Sequence, residues 1–435
     1  MRPLPLIAVL LCIVHLSALA SPAGLATIHE LARANDTQLA AAQAAYRAGM
    51  ERLPQGRAGL LPSINLSASL RQNYSESSPG GTRDYGSHGY ALTLQQPLYR
   101  KQNLEALEQA RLAVALAERQ FKLAEQDLAL RVARAYFDVL EAEDALATAR
   151  AQKAAIAEQL AQARIGFEVG AATIVDTHEA KARFDATQAQ EIVAENQLEV
   201  RRRALERIIR VPAPRLRGLA AGVAIPTPTP GDMEAWVRQA EQDSLAVALA
   251  QIAAEIAQRE IARQRGGYRP TLDIAASYSD SRNPGGNGVD TRNASLGLEF
   301  NWNLYQGGAT DSRLREAVAH QDKARFELDA ARRQAALDAR AAFLGVVSGV
   351  ARVRALEQAL ASSETQLKST KLGLEVGVRT RVDVLNVQQQ LYAAQRDLAA
   401  ARYAALYSGL QLKAAAGRLA EPDLKAIDAL LTRDP

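Results

Sequence analysis

Four segments of the chain alternate apolar and polar residues with period 2, the mark of strands with one apolar and one polar face. In the first, Ile64, Leu66, Ala68 and Leu70 alternate with Ser63, Asn65, Ser67, Ser69 and Arg71. In the second, Leu92 and Leu94 alternate with Ala91, Thr93 and Gln95. In the third, Leu272, Ile274, Ala276 and Tyr278 oppose Asp273, Ala275, Ser277 and Ser279. In the fourth, Leu296, Leu298, Phe300, Trp302 and Leu304 oppose Gly297, Glu299, Asn301 and Asn303. The predicted strand pairs are 62–74 with 88–98 and 270–281 with 292–304. The segments between partners, Ser75 to Ser87 and Asp280 to Asp290, carry Pro-Gly-Gly at Pro79 to Gly81 and Pro284 to Gly286, and are predicted to be long hairpin loops.

After each pair the period changes. Proline is absent from about Asn103 to Phe167 and from about Thr310 to Leu372, and about 60 helical residues would run roughly 90 Å. Steps of four and three from Leu128 give Leu128, Val132, Ala135, Val139, Ala142, Leu146, Ala149, Lys153, Ile156, Leu160, Ala163 and Phe167, an apolar seam broken only by Lys153. That spacing is a coiled-coil repeat, and its alanines let neighbouring helices approach closely. A looser seam runs from Ala335 through Val346, Val353, Leu356, Leu360 and Leu367 to Leu374, with Gly349, Ser363 and Thr370 in it. Each long helix is predicted to stop at a glycine pair, Gly166/Gly170 or Gly373/Gly377, and the chain to turn into a second helix from Asp176 or Asp383 onward.

The halves are copies of one unit. Pro62 and Pro270 stand 208 residues apart, Tyr99 and Tyr305 206, and Asp176 and Asp383 207. Between the copies Pro212, Pro214, Pro226, Pro228 and Pro230 forbid a regular helix. The expected organisation is a first repeat over 21–210, a linker over 211–232, a second repeat over 233–420 and a tail over 421–435.

Four strands cannot close on themselves, and an open edge in lipid leaves backbone groups unpaired at several kcal/mol each. Chains must therefore share one barrel: two would give eight strands with a bore filled by side chains, three give twelve with room for a channel. The polar face, with Asn65, Gln95, Asp273, Glu299 and Asn301, would line water. The apolar face would meet outer-membrane lipid, with Tyr90, Tyr278 and Trp302 as candidates for the interfacial belt. The fold class expected is an α+β membrane protein: a shared transmembrane β-barrel, four strands per protomer and twelve per trimer, continued by a long coiled-coil α-helical barrel.

Composition narrows the compartment and the chemistry. Arg2, the apolar run from Leu6 to Leu19 and the small-residue pattern Ala18-Leu19-Ala20 read as a cleavable secretory signal over 1–20. The single cysteine, Cys12, lies inside it, so disulfides, thiolate zinc sites and thiol catalysis are excluded from the mature chain. With 52 basic and 48 acidic residues, the formal charge of +4 argues for no nucleic-acid partner. His29, His88, His178 and His320 are scattered without ligand spacing, and neither half offers paired acid and base groups, so no enzyme, metal or cofactor is expected.

The stretch Glu375-Val-Gly-Val-Arg-Thr-Arg-Val-Asp-Val-Leu-Asn386, with Leu391-Tyr392-Ala393-Ala394, Ala401-Arg402-Tyr403 and Ala133-Arg134-Ala135-Tyr136-Phe137-Asp138-Val139-Leu140, resembles the TolC-like outer-membrane channels. The resemblance extends from about Ala26 to Leu431. It implies a homotrimer in a Gram-negative outer membrane that reaches into the periplasm, with an equatorial belt built partly from the linker and C-terminal region. It also implies a periplasmic adaptor protein and an inner-membrane partner, either an ABC exporter or a proton-driven pump. The implied function is the exit duct of a type I protein-secretion or drug-efflux system; the rival reading is a periplasmic coiled-coil scaffold without a pore.

By the same resemblance Asp176, Arg379, Asp383 and Asn386 lie at a narrow periplasmic gate, where Arg379 would pair with Asp176 and Asp383 would form a carboxylate ring. The family's best-known member has tyrosine where Leu374 stands and aspartate where Asn386 stands. Fewer links and three ring carboxylates per trimer rather than six are the expected consequence. The plainer reading of Asp176 and Asp383 is a first-turn carboxylate favoured by the helix dipole.

Overall fold

The structure, a computed structural model, describes residues 22–432 except 79 and 221. The expected signal with Cys12, and Pro79 of the first hairpin, lie outside the described residues. The chain forms two compact units. One contains Gln43–Phe121 and Ala246–Ala331, the other Lys122–Leu245, Arg332 onward and the described residues through Ala42.

The first unit is built on a four-stranded antiparallel sheet of order β1-β2-β3-β4, with β1 Ser63–Ser77, β2 Gly81–Tyr99, β3 Thr271–Arg282 and β4 Thr291–Asn301. Partners across the ladder share a face, and the register joins odd-numbered residues to odd: Ser63 to Gln95, Gln95 to Ala275, and Asp273 to Glu299. The even face is a continuous apolar surface, in which Leu66 faces Leu92, Leu92 faces Tyr278, and Ile274 faces Leu298. In the single protomer it is uncovered, with Leu66 and Leu298 both 68% exposed. Among the described residues β1 and β4 each leave one edge unpaired. On the apolar face Tyr90 and Tyr278 lie together, ring centroids 6.2 Å apart. Tyr278 is level with Ala294, eight residues before Trp302 along the chain, or roughly 26 Å at about 3.3 Å per residue.

The first hairpin differs from the prediction. Ser75 pairs with Arg83 and Ser77 with Gly81, so the pairing runs through most of the expected loop. Alternation fades there because both faces are polar, as suits strands that continue into water, while the backbone ladder needs no alternation to persist. The second loop, 283–290, is irregular as expected.

Two helices, α4 (Lys101–Glu168) and α8 (Ala309–Glu375), run on from the strand pairs. In the second unit α4 is followed by α5 (Ile174–Ile209), and α8 by α9 (Arg381–Ala415). The seam is buried at Leu128, Val132, Val139, Ala142, Leu146, Ile156, Leu160 and Ala163. Leu160 and Ala163 pack on Ala180 and Phe184 of α5. Phe167, predicted as the last seam residue, is 46% exposed, because α4 ends one residue later. Lys153 interrupts the seam by reaching the Glu191 carboxylate on α5. The second seam is buried at Ala335, Val346 and Val353 but only half-buried at Leu356, Leu360, Leu367 and Leu374.

The stretch around Tyr136 is core. Its fully buried hydroxyl donates to the Arg217 carbonyl at 2.7 Å and lies 3.2 Å from the Ala23 carbonyl, and burial pushes its pKa up. Phe137 stacks on Tyr403, whose hydroxyl donates to Asp144 at 2.7 Å. The linker backbone closes on both ends of the described chain: Ala23 N–H donates to Arg215 O at 2.7 Å, and Leu219 pairs with Leu431. A short helix, α10 (Glu421–Asp428), ends on Asp428, which caps α1 (Leu25–Asn35) by accepting from Leu25 N–H at 2.6 Å. No helix among the described residues is long and apolar enough to cross a membrane.

Candidate gate at the helical turns

The turns α4–α5 and α8–α9 are built alike, 207 residues apart. In each, a glycine in the left-handed region, Gly170 (φ 73°) or Gly377 (φ 81°), follows the helix. A Cβ at that φ would be strained whatever the space around it. The chain then bends back so that Ala171 and Ala172 donate to Gly166 O in the first turn, and Val378 and Arg379 donate to Gly373 O in the second. Each turn ends in a capping box. The Thr173 N–H and hydroxyl donate to Asp176 Oδ2 at 2.9 and 2.8 Å, while Asp176 N–H donates back to the hydroxyl at 3.2 Å. Thr380 and Asp383 repeat this at 2.9, 3.0 and 3.2 Å.

These bonds hold both carboxyls below the ordinary aspartate value. For Asp176 the Thr173 N–H and hydroxyl dominate and Arg381 adds to them; for Asp383 the Thr380 pair dominates and Arg379 adds. In both residues Oδ2 takes the capping bonds and Oδ1 takes none of them. A helix-start role and a pore-facing role are therefore compatible in one carboxylate.

The pairing expected between Arg379 and Asp176 does not form within the protomer. Among the described residues no ion pair joins Arg379 to Asp176. Arg379 folds back over its own turn, against Gly373, and the guanidinium near Asp176 is that of Arg381, two residues on. Arg381 lies beside Gly166 and shares a small recess with Asp176, Glu179 and Leu385. The two arginines flank Thr380, the N-cap of α9; only the one inside the first helical turn is carried toward α4 and α5.

Asn386 is held by a residue the sequence did not single out. Arg183 of α5 donates to Asn386 Oδ1 at 2.8 Å and to Gln389 Oε1 at 2.5 Å, both on α9. The site thus has one hydrogen-bonded tie from α5 to α9, Arg183, and one arginine of α9, Arg381, whose charge lies near Asp176 at the turn.

The odd face of the sheet gathers the other predicted site residues. Asn65, Gln95, Asp273, Glu299 and Asn301 share it by register. Gln95 and Asp273 meet at 3.4 Å, and Arg100 binds Asp273 in a fork at 2.8 and 2.6 Å. Glu299 stands directly opposite Asp273, a like-charge pair that would repel without the Arg100 fork. Asn65 lies apart from this cluster, level with Thr93.

Comparison with known proteins bears on the whole chain. The sequence profile described as "Outer membrane efflux protein" matches twice, over residues 28–209 and 236–418. The chain is 34% identical over 410 residues to the outer membrane protein TolC of Vibrio cholerae, covering 93% of each. It is 32% identical to the alkaline protease secretion protein AprF of Pseudomonas aeruginosa, covering 93% of this chain and 87% of that one. Among solved structures, CusC matches with a TM-score of 0.79 at 16% identity, over 90% of this chain and 92% of that chain. The Neisseria gonorrhoeae MtrE outer membrane channel in its open state matches with a TM-score of 0.73 at 20% identity, over 92% of this chain and 89% of that chain. At such identities the structural likeness speaks to fold, and it is the fold of outer-membrane channels.

Proposed function

This chain belongs to the outer membrane efflux protein family, and from that premise we propose that three copies close a twelve-stranded barrel and continue it as a helical tunnel. The protein is an outer-membrane channel of the secretion and efflux type. The observation that carries the trimer is the sheet itself: an uncovered apolar face, a polar opposite face, and two unpaired edges in each protomer. Those edges must be paired in lipid, and twelve strands are the smallest multiple of four that leaves a bore.

The duct serves export driven from the inner membrane, through a periplasmic adaptor and either an ABC exporter or a proton-driven pump. Relatives named for protease secretion, AprF and the PrtF of Dickeya chrysanthemi, at 32% and 31% identity, favour polypeptide export among its uses. Asp176, Arg379, Asp383 and Asn386, with Arg381 and Arg183, form its gate: the ties hold the helix pairs together at rest, and three Asp383 carboxylates around one axis favour cations. The test is deletion of the gene, with secreted proteins and drug accumulation measured together. Loss of secretion, rise in drug accumulation, or both, is expected; a deletion strain unchanged in both would contradict the reading.

A further inference from the structure

The sheet unit contains a polar recess of about 170 Å³ where the ends of β3 and β4 meet the first turns of α4 and α8. Four cationic side chains reach it, Arg100, Lys101, Arg269 and Arg313, and no carboxylate lines it. Two of the four are matched: Arg100 by Asp273, and Lys101 by Glu105 at 2.6 Å. The Asp311 carboxylate, on the first turn of α8, is taken by the Tyr268 hydroxyl. Arg269 and Arg313 make no side-chain ion pair or hydrogen bond among the described residues. Two unpaired arginines therefore line one cavity that has no carboxylate in its wall.

The remaining lining suits the same kind of guest. Lys101 and Gln102 belong to the first turn of α4, and Thr310 to that of α8, so the positive ends of two long helix dipoles add to the side-chain charge. Thr271, Asn301 and Gln264 supply neutral donors. We infer that this recess is an oxyanion site, binding phosphate or carboxylate groups of a solute that reaches it from the bore. Guanidinium forks match such groups in geometry as well as charge. Access from the bore rests on the proposed reading of the odd-numbered face, to which Thr271 and Asn301 belong; binding itself does not.

The test uses the full-length protein extracted in a zwitterionic detergent, titrated calorimetrically with pyrophosphate. Wild type binds, more weakly as salt is raised. The Arg269→Gln/Arg313→Gln double variant binds about tenfold or more weakly, while Arg71→Gln, on β1 and outside the recess, binds as wild type. Both arginines are exposed and unpaired, so the double variant keeps its fold, checked by heat-resistant migration. No binding by wild type, or equal binding by the double variant, overturns the site. Pyrophosphate block of current in planar bilayers, lost in the double variant, adds bore access; binding without block keeps the site and sinks the face assignment. Competition by a short poly-aspartate peptide assigns the site to peptide carboxylates, and its absence restricts the site to phosphate-type anions.

Discussion

The Arg183 guanidinium of α5 reaches across to α9 and donates to Asn386 at 2.8 Å, a tie that the amide accepts without any ionic partner. The donor is a guanidinium, so the bond is charge-assisted, worth about 1.5–3 kcal/mol where shielded and less at this exposed site. Arg183→Gln should shorten the reach, lose the tie in each protomer and raise resting conductance without impairing assembly. Asn386→Asp should do the opposite, since a carboxylate facing the guanidinium adds an ion pair to a bond that is already charge-assisted. Single-channel recording of the two variants beside wild type checks both signs; equal resting conductance in all three would remove the tie from the gate.

Arg381, rather than Arg379, carries the charge beside Asp176. Arg381→Ser should therefore raise resting conductance more than Arg379→Ser does. Neither should hold the pore fully open, because exposed pairs contribute about 0–1 kcal/mol each, and a shift from one to ninety-nine per cent open needs about 5.5 kcal/mol. The larger effect in Arg379→Ser would reverse the assignment.

Both capping carboxylates have lowered folded pKa values relative to the ordinary 3.8. A carboxyl with a depressed folded pKa stabilises the turn above its unfolded value and loses that contribution as pH falls through the folded one. Resting conductance should thus be flat through the neutral range and rise only as pH drops below about 4. Asp383→Asn should keep assembly and weaken cation preference, read from the reversal potential in a salt gradient. A conductance step near pH 6 would point to other groups.

The sheet faces make a sharp contrast. Leu298→Arg places a charge on the apolar surface and should cost about 2–4 kcal/mol per protomer, seen as lost heat-resistant trimer. Asn65→Arg, on the polar face, should assemble normally and shift ion selectivity. Equal assembly of the two would invert the faces.

How far the sequence speaks depends on the distance over which each feature is set. The strands were legible because apolar residues recur at every second position within each, as Ile64, Leu66, Ala68 and Leu70 do in β1 and Leu296, Leu298 and Phe300 in β4, a local signal. The extension of β1 to Ser77 and of β2 from Gly81 was not, since beyond the lipid both faces turn polar and only the ladder remains. The Thr173/Asp176 and Thr380/Asp383 boxes could have been read directly: a threonine three residues before an aspartate at a helix start is itself the capping signal. Arg183 and Arg381 were hidden because their partners depend on how α5 and α9 are rotated about their axes. The Tyr136 stretch was recognisable as a motif, yet its reason, a buried hydroxyl on the carbonyls of Ala23 and Arg217, links positions 113 and 81 residues apart.

The central claim is that β4 of one protomer pairs with β1 of the next and that the ring closes at three. Cys12 is the only cysteine of the chain, so pairs of new cysteines report on these edges alone. With Ser295→Cys on β4 combined in turn with Ser63→Cys, Asn65→Cys and Ser67→Cys on β1, oxidation of outer membranes should give, for at least one pair, a covalent ladder on denaturing gels that ends at the trimer. A ladder ending at the dimer, one running past three, or no cross-link from any pair would contradict the shared twelve-stranded barrel.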